Sequence, residues 1–210
     1  MSNDASSQSI SPRRQRNRER MIQEILNTAR SIMRENGAAS LTMNELAKRL
    51  EIKPPSLYNY FSGLMDIYDT LFRLGFVMWR ERMAQQESGT QPWQDVVRRF
   101  MEAYLAFALE NPELYQLCFE RPIPGFIPSE QSLQISFGIL HQSYTQFKGL
   151  LPNMDTNLQP EQVVDLVIAI AHGITAQHMA NEPHLPLGEG RFGSLIPAAL
   201  DVLEKAWEKT

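Results

Sequence analysis

The stretch from Leu41 to Phe61, LTMNELAKRLEIKPPSLYNYF, constrains this chain more than any other, because it reads as two short helices joined by a tight turn. Thr42 followed by Glu45 fits a capping box, in which the Thr hydroxyl and the Glu carboxylate each satisfy an orphan backbone N–H. A helix therefore starts near Met43. Met43, Leu46, Ala47 and Leu50 recur at i, i+3, i+4 and i+7, so one face is apolar and needs a surface to cover it. Asn44, Lys48 and Arg49 face away. Pro54 and Pro55 mark the start of the next helix, since a first helical turn needs no N–H there, and Lys53, preceding a proline, is extended. Leu57 and Phe61 then share the packing side, leaving Ser56, Tyr58, Asn59 and Tyr60 outside.

Those outward groups are hydroxyls, an amide and aromatic rings, which can bond phosphates or base edges and touch thymine methyls. Two short helices so equipped are the outline of a DNA-reading module. The residues resemble the N-terminal signature of the TetR-type bacterial transcriptional regulators: an Ile-Leu-rich first helix, then Gly-x-x-x-Leu-Thr-x-x-x-Leu-Ala, then Ser-Leu-Tyr-x-Tyr-Phe. The matching positions are Ile25, Leu26, Ala29, Gly37, Leu41, Thr42, Leu46, Ala47, Ser56, Leu57, Tyr58, Tyr60 and Phe61. A bare pair of short amphipathic helices would be a weak signal, but this many matches at fixed spacing is a strong one. Two positions depart from the pattern. Glu51 stands where such regulators often have a Gly that relaxes a left-handed turn. Leu64 stands where a Lys commonly contacts phosphate, which removes one electrostatic anchor without touching base readout.

Charge is distributed accordingly. Residues 1–60 carry 10 Lys+Arg against 6 Asp+Glu, a net +4, whereas residues 61–210 carry 10 against 18, a net −8. Arg13, Arg14, Arg16, Arg18 and Arg20 cluster at the opening of the first helix. A basic arm beside a DNA-reading unit can follow the backbone or enter the minor groove; the plain alternative is a solvated tail. The expected DNA-binding set is Arg13, Arg14, Arg16, Thr42, Met43, Lys53, Ser56, Tyr58, Asn59 and Tyr60.

Beyond this module the chain reads as helix upon helix, an all-α protein of about nine helices. Residues 1–12 form a disordered tail rich in Ser, Asn and Gln; residues 13–61 form the three-helix DNA-binding unit; residues 62–210 form a larger helical domain for effector binding and dimerisation. Met21, Ile22, Ile25, Leu26, Ala29, Ile32 and Met33 make an apolar stripe that Gly37 ends. A long helix runs from about Leu64 to Gln86 with Ile67, Leu71, Leu74 and Met78 on one face, Gly75 loosening its interior and Ser88-Gly89-Thr90 closing it. Such a rod can carry a signal from one end to the other. Further helices are expected over about 92–110, 112–120, 129–150, 161–181 and 190–208, separated by proline-rich loops, of which Arg121 to Pro128 holds Phe126 and Ile127.

Val163, Val164, Leu166, Val167, Ile168, Ile170 and Ile174 are too densely apolar for the surface helix of a monomer. The last helix, with Leu195, Ile196, Ala199, Leu200, Val202, Leu203 and Trp207, is similar. The resemblance implies that these two helices build a four-helix homodimer interface. Gly173 with Ala169, Ala171 and Ala176 would permit close backbone approach, and the His172-Gly173 pair resembles one in a subset of such domains. A two-fold dimer presents two reading helices about 34–36 Å apart or a multiple of it, hence a palindromic operator on double-stranded DNA.

Trp93, Phe100, Tyr104, Phe107, Phe126, Phe137, His141, Tyr144 and His172 supply aromatic and polar groups for a mostly apolar effector, with plain core as the alternative reading. No cofactor and no metal is expected: the histidines His141, His172, His178 and His184 form no metal-binding spacing, one cysteine cannot build a thiolate site, and no Walker, GxGxxG or GxSxG motif is present. Cys118, between Leu117 and Phe119, reads as a buried, inert thiol. No apolar run approaches the roughly 18 residues that cross a bilayer, and the polar start Met1 to Ser11 lacks a secretion segment, so a cytoplasmic location away from membranes is expected. The resulting expectation is a regulator, a repressor released by a small molecule. The competing classes are a helical protein-interaction module, which would be insensitive to salt, and a small helical enzyme.

Overall fold

The computed structural model describes residues 11–84 and 91–208. The expected tail up to residue 10 and the expected helix stop at Ser88-Gly89-Thr90 lie outside the described residues. Among the described residues every regular element is helical. They divide into two compact units, one up to Tyr68 and one from Asp69, so the division falls after Tyr68, whereas the sequence reading places it after Phe61. The reason is that Ile67 and Tyr68 are buried and the Tyr68 hydroxyl donates to the Ala38 carbonyl at 2.9 Å, which ties the start of the long helix to the first unit.

The first unit opens with α1 (Pro12–Asn36), whose N-cap Ser11 accepts from the Arg14 N–H, so Pro12 is helical and does not belong to the tail. Ile25, Leu26, Ala29, Ile32 and Met33 form its buried stripe, and Gly37 ends it at φ 89°. A short helical turn over Ala38–Ser40 leads to α2 (Met43–Arg49) and α3 (Pro54–Leu57). Leu41, Leu46, Ala47, Leu57 and Phe61 close over the α1 stripe. The capping box forms only in half. Thr42 Oγ1 accepts from the Glu45 N–H at 3.2 Å, but the Glu45 carboxylate accepts from Arg49 Nε at 3.0 Å. Arg49 also grips Glu35 of α1 through both terminal nitrogens, at 2.9 and 2.7 Å. That fork holds Glu35 below the usual carboxylate range, with Ser31 adding a further hydrogen bond.

The long helix α4 (Leu64–Ala84) continues into the second unit. There follow α5 (Trp93–Glu110), α6 (Pro112–Tyr115) running on as a wider π turn over Gln116–Glu120, α7 (Glu130–Leu150), α8 (Pro160–Asn181), α9 (Gly190–Gly193) and α10 (Ile196–Trp207). The helix expected over 190–208 is therefore two. Pro197 lacks an N–H and fits only in a first turn, so the chain breaks at Ser194-Leu195 and restarts. α5 is central, packed by α6, α8 and α10, and α8 is packed in addition by α7 and α9. On α4 the buried residues in this unit are Leu71, Phe72, Gly75 and Trp79; of the expected stripe Leu71 is buried, while Leu74 and Met78 are half-exposed. Gly75 has a packing reason: a Cβ there would lie 2.5 Å from Cys118 Sγ.

α8 begins with a reciprocal cap between Gln159 and Gln162. It corrects one expectation, since its mean hydropathy of 1.4 over an 18-residue window, with its length, suffices to cross a membrane. In this fold it is a helix of the second unit, with Val163, Val164, Val167, Ala171, Thr175 and His178 buried.

Candidate nucleic-acid interface and apolar cavity

In the first unit α2 and α3 are joined by a turn in which Glu51 takes a left-handed conformation, φ 56°. Left-handed backbone favours glycine, so the non-glycine residue that departs from the sequence pattern sits at the strained position. Regular helix covers only Pro54–Leu57, a turn shorter than the sequence suggests, but the Phe61 N–H still bonds the Leu57 carbonyl at 3.1 Å and holds Tyr58 to Tyr60 in a tight turn. Leu57 and Phe61 are buried. Lys53 and Asn59 are exposed, Tyr58 is 58% exposed, and Ser56 and Tyr60 are half-buried. Thr42 is exposed and Met43 half-buried; the Thr42 hydroxyl accepts its capping bond and retains a proton to donate.

The arginines of α1 fall into two groups. Arg13, Arg14 and Arg16 are exposed on the first turns. Arg18 reaches across to the reading turn: its Nη1 donates to the Asn59 carbonyl at 2.6 Å and its guanidinium lies 5.4 Å from the Tyr60 ring centroid. Charge-assisted bonding and ring contact together hold the turn against α1. Arg18 was not in the sequence-derived set, and only its place in a basic run hinted at a role.

The second unit contains an apolar cavity of about 220 Å³. Its walls are Phe76 and Trp79 of α4, Phe100 and Tyr104 of α5, Phe119, Ile168 of α8, and Ser136, Phe137, Ile139, Leu140 and Ser143 of α7. Trp79 is the hub, with Phe100, Tyr104 and Phe107 edge-on at 5.8, 5.6 and 5.7 Å. Of the effector residues read from the sequence, Phe100, Tyr104 and Phe137 line the cavity. The others stand elsewhere. Phe107 is core behind Trp79, Phe126 meets Phe72 at 6.1 Å, Trp93 stacks edge-on against Trp207 at 5.5 Å, and His141 is exposed on the other side of α7. Tyr144 donates to Asp165 at 3.1 Å. Phe76 and Trp79 were missed, although Phe72, Phe76 and Trp79 recur at helical spacing on α4.

His172 lies behind the cavity wall, its Nδ1 3.1 Å from the Tyr104 hydroxyl and 3.3 Å from that of Tyr115. Glu120 is a second acceptor for Tyr115. All are satisfied when Tyr115 donates to Glu120 and Tyr104 to His172. Burial, followed by the neighbouring Tyr115 for Tyr104 and by Glu120 for Tyr115, pushes both phenols well above their ordinary range, so they stay neutral. Cys118 is likewise buried and its thiol raised by desolvation, which makes it the unreactive thiol expected.

Residues 25–68 match the model of the bacterial regulatory proteins of the tetR family. That segment holds the turn geometry described above, from Ile25 in the α1 stripe to Tyr68. Over these residues the chain is similar to the N-terminal region of the tetR family of bacterial regulatory proteins. An uncharacterized HTH-type transcriptional regulator, YobS of Bacillus subtilis, is 32% identical over 93 residues, covering 44% of this chain and 48% of that protein. The chain thus spans about half the length of the curated relatives it matches. Likeness of fold extends further. A protein of unknown function from Rhodococcus sp. RHA1 superposes with a TM-score of 0.74 at 16% identity, over 98% of this chain and all of that one. A TetR family transcriptional regulator from Chloroflexus aurantiacus gives 0.67 at 18% identity over 91% and 95%.

Proposed function

We propose that this chain is a dimeric DNA-binding transcriptional regulator, a repressor that reads a palindromic operator and is released by a small, mostly apolar effector. The observation that carries the reading is the exposed set Lys53, Tyr58 and Asn59, with half-buried Ser56, on a turn that Arg18 braces. Arg13, Arg14 and Arg16 supply phosphate contacts, Thr42 and Tyr60 further hydrogen bonds, and Met43 apolar contact with the groove.

Dimerisation rests on an uncovered apolar surface. Leu166 on α8, Leu195 before α10 and Val202 within it are exposed by 39%, 42% and 65%. Ala169 and Gly173 lie on the open side of α8, and a Cβ at Gly173 would meet nothing within 4 Å, whereas Ala171 is buried within the unit and takes no part. The effector occupies the cavity beside Phe76 and Trp79. These residues belong to the same helix, α4, whose first turn carries Ile67 and Tyr68, so a ligand there bears on an element shared with the first unit.

Selection of bound duplexes from a random library by the purified protein, with a salt titration on the selected sequence, tests this reading. A palindromic sequence bound with steep salt dependence is expected. Absence of enrichment at low salt would overturn it in favour of a protein-interaction module.

A further inference from the structure

The cavity leads to a differently lined space. Ile139 and Ser143 of its wall also line a small recess with Arg80 and Gln142, and Arg80, Ile139 and Gln142 in turn border an open groove of about 460 Å³ with Gln131 and Gln134. Arg80 is the sole charged side chain lining any of these spaces among the described residues. No carboxylate lines them, and the one phenol in the cavity wall, Tyr104, stays neutral.

We infer that the effector is a small aromatic acid, its ring body in the cavity and its carboxylate at the Arg80 end of the recess. This rests on the ligand-responsive reading above and names the ligand class. Three features select it. The cavity wall is largely aromatic, which favours stacked or edge-on rings over a flexible chain. A cavity of about 150 Å³ holds benzene, so one of about 220 Å³ has room for one or two rings. Arg80 offers a planar fork that matches a carboxylate, with Gln142 beside it as a further hydrogen-bonding group, while nothing there neutralises a cation.

Tryptophan fluorescence of the full chain, with Trp79 in the cavity wall, reports occupancy without DNA. The probes are naphthoate, its neutral amide, naphthyl-trimethylammonium and decanoate, each titrated into the wild type and Arg80→Gln. Arg80 is exposed, so its replacement leaves the fold intact. Naphthoate is expected to bind about tenfold or more tighter than the other three, with Arg80→Gln erasing its advantage over the amide and leaving the amide unchanged. Ile139→Trp, which fills the junction, abolishes binding of all four. Equal binding of naphthoate and amide, preference for the ammonium or decanoate, indifference to Arg80→Gln, or no binding of naphthoate overturns the inference. The two readings fail separately. Arg80-dependent naphthoate binding that leaves the DNA complex intact would sink the ligand-responsive reading alone, and DNA release by one of the other probes would sink only the assignment of an aromatic acid.

Discussion

Arg18 and Asn59, forty-one positions apart, are joined by a 2.6 Å bond from the guanidinium to the backbone carbonyl, with the same guanidinium lying over Tyr60. The four-residue helix and its turn are otherwise anchored by the buried Leu57 and Phe61. The contact converts one arginine of a basic arm into a brace.

Arg18→Ala should therefore weaken operator binding by about tenfold, through loss of roughly 1–2 kcal/mol of charge-assisted bonding that orders the turn. Because Arg18 braces the turn, the salt dependence of binding stays that of the wild type. Arg13→Ala should instead lower the slope of log affinity against log salt by about one. Arg18→Lys does not rescue, since an ammonium lacks the planar group that lies over Tyr60. Salt titrations of the three variants decide this; a reduced slope for Arg18→Ala would make it a phosphate contact.

Glu51 adopts φ 56° without the freedom of glycine. Glu51→Gly should stabilise the protein by about 0.5–1 kcal/mol, relief of left-handed strain exceeding the added entropy of the unfolded chain. Glu51→Ala keeps the strain and removes the charge, so its urea midpoint should stay near the wild-type value. Equal gains from both variants would point to charge instead of conformation.

Gly75 tests packing against propensity. Alanine is the better helix former by about 1 kcal/mol, yet its Cβ would meet Cys118 Sγ, which is buried and lies 3.6 Å from the Phe72 carbonyl. Overpacking of this kind costs about 1–3 kcal/mol, so Gly75→Ala should lower stability by about 1 kcal/mol net. Removing the sulfur as well, in Gly75→Ala with Cys118→Ala, should recover more than Cys118→Ala alone loses. A double-mutant cycle by chemical denaturation measures that coupling.

Asp69 accepts from both the N–H and the hydroxyl of Ser129, at 2.7 and 2.9 Å, at the start of α7. Burial raises its pKa, but the Ser129 bonds and nearby Arg73 outweigh burial, and the net shift is downward. A depressed folded-state pKa contributes stability that is complete above the unfolded value of about 4 and is lost as pH falls through the folded value. Asp69→Asn should thus cost about 1–3 kcal/mol at neutral pH and melt with a shallower acid dependence below about pH 4 than the wild type. Parallel melting curves for the two proteins at all pH values would refute the role of this carboxylate.

The sequence by itself determined the helical order, the boundaries marked by Thr42, Pro54 and Gly37, and the outward set around Tyr58. Each depends on residues within a turn or two of one another, where capping, proline geometry and apolar spacing act. Through the resemblance it also marked Glu51 as standing where a glycine often relaxes a left-handed turn, and the structure places it at φ 56°. Tertiary structure decided what distant residues share. Glu45 left its cap because Arg49 is also claimed by Glu35 from α1, and Phe100 faces a cavity while Phe107, two turns on, is core, because Trp79 stands between them. The aromatic stripe on α4 was visible, but whether it bordered empty space or filled it depended on α5, α7 and α8, which meet only when the chain is folded. Local interactions are encoded by spacing, whereas a cavity is what several remote surfaces leave unfilled.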